Sequence, residues 1–189
     1  MNEELELVAK AQAGDRDAFG VLYGIYIKKI YDFVYFRTAS KEAAEDLVSD
    51  IFIKVLERIG KFDPAKGSFS SWLYRVARNH MIDSHRTKRS AISLEGVDPS
   101  DEGLQSEGVE DAVLFRQAAK LLEGLKADQR EVVVMRVWDE LSYSEIAAIT
   151  GKSQAAAKMS FKRAIENLRR IAPQDWLAIL SICLMIKAK

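Results

Sequence analysis

The stretch SYSEIAAITGKSQAAAKMSFKRAIENLRR, residues 142–170, decides how the second half of the chain is read. Ser142 to Glu145 has the S-x-x-E spacing in which side chain and backbone cap each other at a helix start. Gly151 stands where a short helix ends on a left-handed residue, and Ser153 can cap the helix that follows. At about 100° per residue, Ala157, Phe161, Ala164, Ile165 and Leu168 share one face of that second helix, which is expected to pack on Ile146 and Ile149. The opposite face carries Met159, Lys162, Arg163 and Arg170, with Lys158 and Ser160 on its shoulders. A short helix, a glycine turn and a cationic amphipathic helix form the helix-turn-helix layout, which suits insertion into the major groove of DNA. Lys158, Ser160, Lys162 and Arg163 are therefore the candidate DNA contacts, the cations for phosphates and the arginine also for guanine edges. On charge alone, the same face also fits the solvated side of a bundle helix. Ala155 and Ala156 let the backbone approach DNA closely but offer no base-reading hydrogen bond.

Outward from this stretch, charge is distributed unevenly. The 189 residues hold 28 Lys and Arg against 28 Asp and Glu. Residues 61–90 carry seven basic and two acidic side chains, residues 151–175 six and two, and residues 91–112 none and seven. Two cationic islands thus flank an anionic stretch, and each can attract a polyanion locally although the sum is zero. The anionic stretch is rich in Gly and Ser and lacks apolar periodicity, so it is expected to be a flexible linker.

Upstream, apolar spacing predicts helices. Asp15 is expected to cap one through Phe19, Leu22, Tyr26, Ile30 and Phe33, and Ser40 another through Leu47, Ile51, Val55 and Ile59. The cluster DPAKGS, residues 63–68, is a turn, followed from about Ser70 by a helix with Trp72, Leu73, Val76, Ala77 and Met81 inward. In the first island Phe62, Phe69, Trp72 and Tyr74 alternate with cations, as in surfaces that stack unpaired bases, although Phe69 and Trp72 also fit a core. Downstream, Val113, Ala118, Leu121, Leu122 and Leu125 mark a helix, and Asp128 to Glu131 reads as a second capping box before a Val-rich helix. The expected fold is all-α: a helical domain over 1–90, an acidic linker over 91–112, a helix-turn-helix domain over 113–172 and an apolar tail over 173–189. The tail's run at 176–186, which contains the lone Cys183, is shorter than the ~20 residues a bilayer requires. It is expected to fold back as core rather than to bind a membrane or partner.

No Gly-rich phosphate loop, nucleophile motif or metal-ligand spacing is present, so no catalytic residue, metal, cofactor or small-molecule substrate is expected. His80 and His85 lack a third ligand. A single cysteine and an acidic N-terminus without an apolar run point to a reducing, cytoplasmic setting with no transmembrane segment.

Three blocks then resemble one family. AAEDLVSDIFIKVLERIGKFDP, GSFSSWLYRVARNHMIDSHRTKRS and LKADQREVVVMRVWDELSYSEIAAITGKSQAAAKMSFKRAIENLRR are similar, in order and spacing, to the clamp-docking, −10-reading and −35-reading segments of bacterial RNA polymerase sigma factors of the extracytoplasmic-function (ECF) group. The resemblance implies core RNA polymerase and promoter DNA as partners, with an anti-sigma factor as a further one. It implies that Asp46, Leu47, Asp50 and Ile51 meet the polymerase. Lys66, Ser68 and Phe69 would hold a flipped −10 base, with Arg75, Arg78, Asn79 and Arg86 steadying the strand. It also implies that the acidic linker threads the channel later taken by nascent RNA. The chain departs from the family pattern at Ala156, Ala157 and Ser160, where a Thr-Val pair and an Arg are usual, so −35 readout is expected either to be weaker or to rest on Lys158, Lys162 and Arg163. From the residues alone, a helix-turn-helix repressor or activator that ignores polymerase, or a helical adaptor, remains the alternative.

Overall fold

In the computed structural model of the chain, residues 3–91 and 117–171 are described, the side chains of 85–91 excepted. Every regular element among them is helical, as expected. The elements are α1 (Glu3–Gln12), α2 (Arg16–Thr38), α3 (Lys41–Arg58), α4 (Phe69–Ala91), α5 (117–123), α6 (Ala127–Val137), α7 (Tyr143–Thr150) and α8 (Gln154–Ile171). Two single 3-10 turns, Ile59–Lys61 and Pro64–Lys66, link α3 to α4. The linker, Val113, Arg86's side chain, the tail and Cys183 lie outside the described residues.

By internal contacts the described chain forms two units. One runs to Val34 and resumes at Glu42; the other joins Tyr35–Lys41 with residues from 117 onward. In the first unit, Asp15 opens α2 as expected, its Oδ1 accepting from the Asp17 and Ala18 amides at 3.0 Å each. α2 and α4 meet through edge-on ring pairs, Phe33 with Tyr74 (5.2 Å) and Tyr26 with Phe69 (5.7 Å). α3 turns Ala44, Val48, Ile51, Phe52 and Val55 inward. Burying each large side chain of this kind stabilises the fold by about 1.5–3 kcal/mol.

α4 begins one residue earlier than the spacing suggested. Ser68 is its cap: Ser68 Oγ accepts from the Ser71 amide at 3.2 Å and donates to Ser71 Oγ at 2.9 Å. The expected inward residues Leu73, Val76, Ala77 and Met81 are buried, but the first turn differs. Phe69, 1% exposed, is core, whereas Trp72 is half-buried.

In the second unit α8 packs on α6 and α7. The Ser142–Glu145 box is complete, with Glu145 N to Ser142 Oγ at 3.2 Å and Ser142 N to Glu145 Oε2 at 2.8 Å. Gly151 adopts φ 69, ψ 22, and Ser153 Oγ accepts from the Ala156 amide at 3.2 Å. The second expected box does not form. α6 opens at Ala127, and Lys126 before it makes no side-chain cap. Asp128 instead receives Lys152 Nζ at 3.2 Å, and Glu131 is buried. The β-branched run Val132–Val134 is helical because all three side chains lie in the core, at 0–1% exposure. Burial of that size outweighs a propensity deficit of a few tenths of a kcal/mol per residue. Arg130 closes the end of α5, donating to the Leu122 and Glu123 carbonyls at 3.0 and 3.1 Å.

Candidate nucleic-acid and polymerase interfaces

The loop between α3 and α4 is built by local chemistry. Asp63 Oδ1 accepts from the Ala65 amide at 3.0 Å, and its Oδ2 receives Lys66 Nζ at 3.2 Å. Gly67 follows at φ 141, ψ −177, a conformation that L side chains rarely adopt. Ser68 then caps α4. The result is a pocket of about 210 Å³ lined by Lys61, Phe62, Asp63, Lys66, Gly67, Ser68, Trp72 and Arg75. Trp72 leans on Phe69 at 5.6 Å and on Phe62 at 5.8 Å, so its position is set from beneath.

Of the expected −10 contacts, Lys66, Ser68, Arg75 and Asn79 are exposed and Arg78 is half-buried. Phe69 corrects the expectation. It is locked between Tyr26 and Phe62 and presents no face to a base. Trp72, which the helical stripe assigned to the core, is half-buried and lines the pocket. Ser68 lines the pocket, but its hydroxyl is engaged in capping.

The Ala65 amide, then Lys66, hold the Asp63 carboxyl below the usual carboxylate range. Its folded pKa is depressed, so the loop's cap is in place above the ordinary value of 3.8 and is lost as pH falls through the lower folded value. The expected observation is an Ala65 amide resonance that stays constant above about pH 4 and moves only in stronger acid. Gly67→Ala has a larger consequence. A Cβ there meets nothing within 4 Å, so the cost is conformational only, about 1–3 kcal/mol. Chemical denaturation is expected to show that loss or, if the loop shifts to relieve it, wild-type stability with a changed pocket.

On α3, Asp46 and Asp50 are exposed, four residues apart on one helix. Leu47 is half-buried. Ile51 is 0% exposed and belongs to the core, so it cannot touch a partner: the stripe that made it a candidate is the stripe that packs inward. The exposed apolar residues of α3 are Ile53 (54%) and Leu56 (53%), which with Tyr23 and Tyr31 of α2 border a groove of about 540 Å³. Spacing rules missed this groove because Ile53 and Leu56 are on the outward side of an amphipathic helix, beside the inward Val48 and Phe52 that also line it. His80 of α4 reaches α3 with Nε2 3.5 Å from Asp50 Oδ2.

On α8, Ala157, Ala164 and Leu168 are buried, and Phe161 meets Tyr143 edge-on at 6.1 Å. Lys158, Met159, Lys162, Arg163, Arg169 and Arg170 are exposed. Ser160 is the exception among the expected −35 contacts. It lies three residues after Ala157 and four before Ala164, and its hydroxyl is buried with no hydrogen-bond partner. Lys162 also pairs loosely with Glu166 at 3.9 Å, an exposed contact of little energetic weight.

A base-sized pocket preceding a basic helix and a helix-turn-helix with a cationic strip thus stand in one chain. Residues 22–91 match Sigma-70 region 2, and residues 115–168 match Sigma-70, region 4. The chain is 34% identical over 175 residues to the ECF RNA polymerase sigma factor SigW of Bacillus subtilis, covering 86% of this chain and 93% of that protein. The chain belongs to the ECF sigma factors. It is also 37% identical over 175 residues to the ECF sigma factor BldN of Streptomyces coelicolor, covering 90% of this chain and 66% of BldN. Among solved structures, this sigma factor resembles CnrH in complex with the cytosolic domain of CnrY. The TM-score is 0.72 and the identity 25%, over 92% of this chain and 99% of that one. Among the described residues of this sigma factor, no helix is long and apolar enough to cross a membrane.

Proposed function

We propose that this chain directs core RNA polymerase to a promoter set through three separate surfaces and assists promoter opening without catalysis of its own. The exposed carboxylates Asp46 and Asp50, with Leu47 at their edge and Ile53 and Leu56 beyond, form the face that receives basic and apolar groups of the polymerase. The Lys66–Trp72–Arg75 pocket takes an unstacked −10 base. Trp72 supplies the stacking wall, a contact worth about 1–3 kcal/mol, and the polar rim discriminates base edges. Arg75, Arg78 and Asn79 follow the strand away from it. Lys158, Lys162 and Arg163 of α8 contact the −35 duplex.

Held by one chain, two modest DNA contacts act as one through effective concentration. The observation that carries this reading is the pocket itself. A helix-turn-helix repressor or activator has no use for an aromatic-walled, cation-rimmed cavity of base size on a different unit from its recognition helix. An anti-sigma factor is the further partner, and the work is done where polymerase is, in the cytoplasm. In vitro transcription with purified core polymerase on a genomic fragment library tests the reading. New start sites sharing two spaced elements are expected, and a start-site map identical to that of core polymerase alone contradicts it.

A further inference from the structure

Gln12, the last residue of α1, reaches the loop from far along the chain. Its side-chain nitrogen donates to the Ile59 carbonyl at 2.9 Å and to the Phe62 carbonyl at 2.9 Å. These carbonyls bracket the 3-10 turn Ile59–Lys61, which delivers the chain into Asp63. The Ile59 carbonyl also accepts from the Phe62 amide at 3.0 Å, so three hydrogen bonds fix one turn. An amide nitrogen carries two hydrogens and so can satisfy two carbonyls at once, which the side-chain oxygen cannot do. Phe62, whose carbonyl Gln12 holds, is also a wall of the pocket, and its ring meets Phe69 at 5.5 Å and Trp72 at 5.8 Å. Displacing this backbone therefore moves the ring on which Trp72 leans. α1 lies outside the 22–91 segment that matches Sigma-70 region 2.

We infer that Gln12 is a positioning residue for base reading: its bidentate grip on the Ile59 and Phe62 carbonyls sets the shape of the Trp72 pocket. This rests on the assignment of that pocket to the −10 base. The discriminating variant is Gln12→Glu, equal in size but, as a carboxylate, unable to donate to two carbonyls. Gln12→Ala and Gln12→Asn, the latter one methylene short, accompany it in case the carboxylate perturbs folding.

Full-length variants are assayed with core polymerase on promoters in which each −10 position is varied, alongside core affinity and thermal melting. Gln12→Glu is expected to lower initiation on the best promoter about ten-fold, the equivalent of two neutral hydrogen bonds. Discrimination between −10 bases should flatten while core affinity stays at the wild-type level. Unchanged discrimination in a folded Gln12→Glu or Gln12→Ala variant, or a uniform loss across all promoters that tracks melting, overturns the inference. If instead the wild-type chain does not discriminate −10 bases at all, the pocket assignment fails and this inference falls with it.

Discussion

Replacing Asp46 and Asp50 together by lysine is expected to abolish productive assembly with core polymerase. Both carboxylates are exposed on α3 and neither is part of its core, so the double variant should fold. On the proposed polymerase face the reversal places like charges opposite basic groups, and losing a close interfacial charge pair costs about 2–5 kcal/mol. A fall in core affinity on the order of a hundred-fold or more follows, read by competition with a labelled sigma factor. Free promoter-DNA binding by the isolated chain should not fall, because the double variant is more cationic than the wild type. His80 supplies an internal control. Its Nε2 stands 3.5 Å from Asp50, so His80→Ala is expected to weaken assembly far less than loss of the carboxylate itself. Assembly that survives both reversals would place the polymerase contact elsewhere, with the α2–α3 groove first in line.

The second large effect concerns α8, in the second unit. Lys162→Glu with Arg163→Glu turns two exposed cations of the proposed −35 face of α8 into anions. If Arg163 grips a base edge, that contact alone is worth about 1–3 kcal/mol, and a lost phosphate contact weakens every sequence alike. Transcription from promoters that depend on a −35 element should fall about a hundred-fold, and the slope of affinity against salt should shallow. Core affinity should not change. Helix content should hold as well, because the buried side of α8, Ala157, Ala164 and Leu168, is untouched. Ser160→Ala is expected to be nearly silent, since its hydroxyl is buried and unbonded.

What was legible in the sequence had a local physical cause. The Ser142–Glu145 box, the Gly151 turn and the Ser153 cap each depend on residues within a few positions, and each formed. The apolar face of α8 followed from helical period alone, and the all-α fold from the same periodicity repeated along the chain. What was illegible depended on partners far away in sequence. Asp128 to Glu131 has the spacing of a cap, but Lys152 and Arg37 claim its two acidic residues. Phe69 and Trp72 sit in the first turn of α4, where period placed Trp72 inward; the distant rings of Tyr26 and Phe62 enclose Phe69 instead.

Ile51 shows the opposite failure. A stripe that identifies a helix also identifies its core, so apolar side chains available to a partner lie outside the stripe, as the exposed Ile53 and Leu56 do. The clamp made by Gln12 spans 47 and 50 residues. No reading of neighbours could find it.

The account rests on one chain presenting a polymerase face and two promoter faces that act only together. The most direct test is initiation by core polymerase, with this chain as sole sigma factor, on a promoter bearing intact elements and on versions lacking the −10 element, the −35 element or both. Strong initiation on the intact promoter, severe loss on either single deletion and none on the double deletion are predicted. Initiation that is no different with and without the chain, or that ignores both elements, contradicts it.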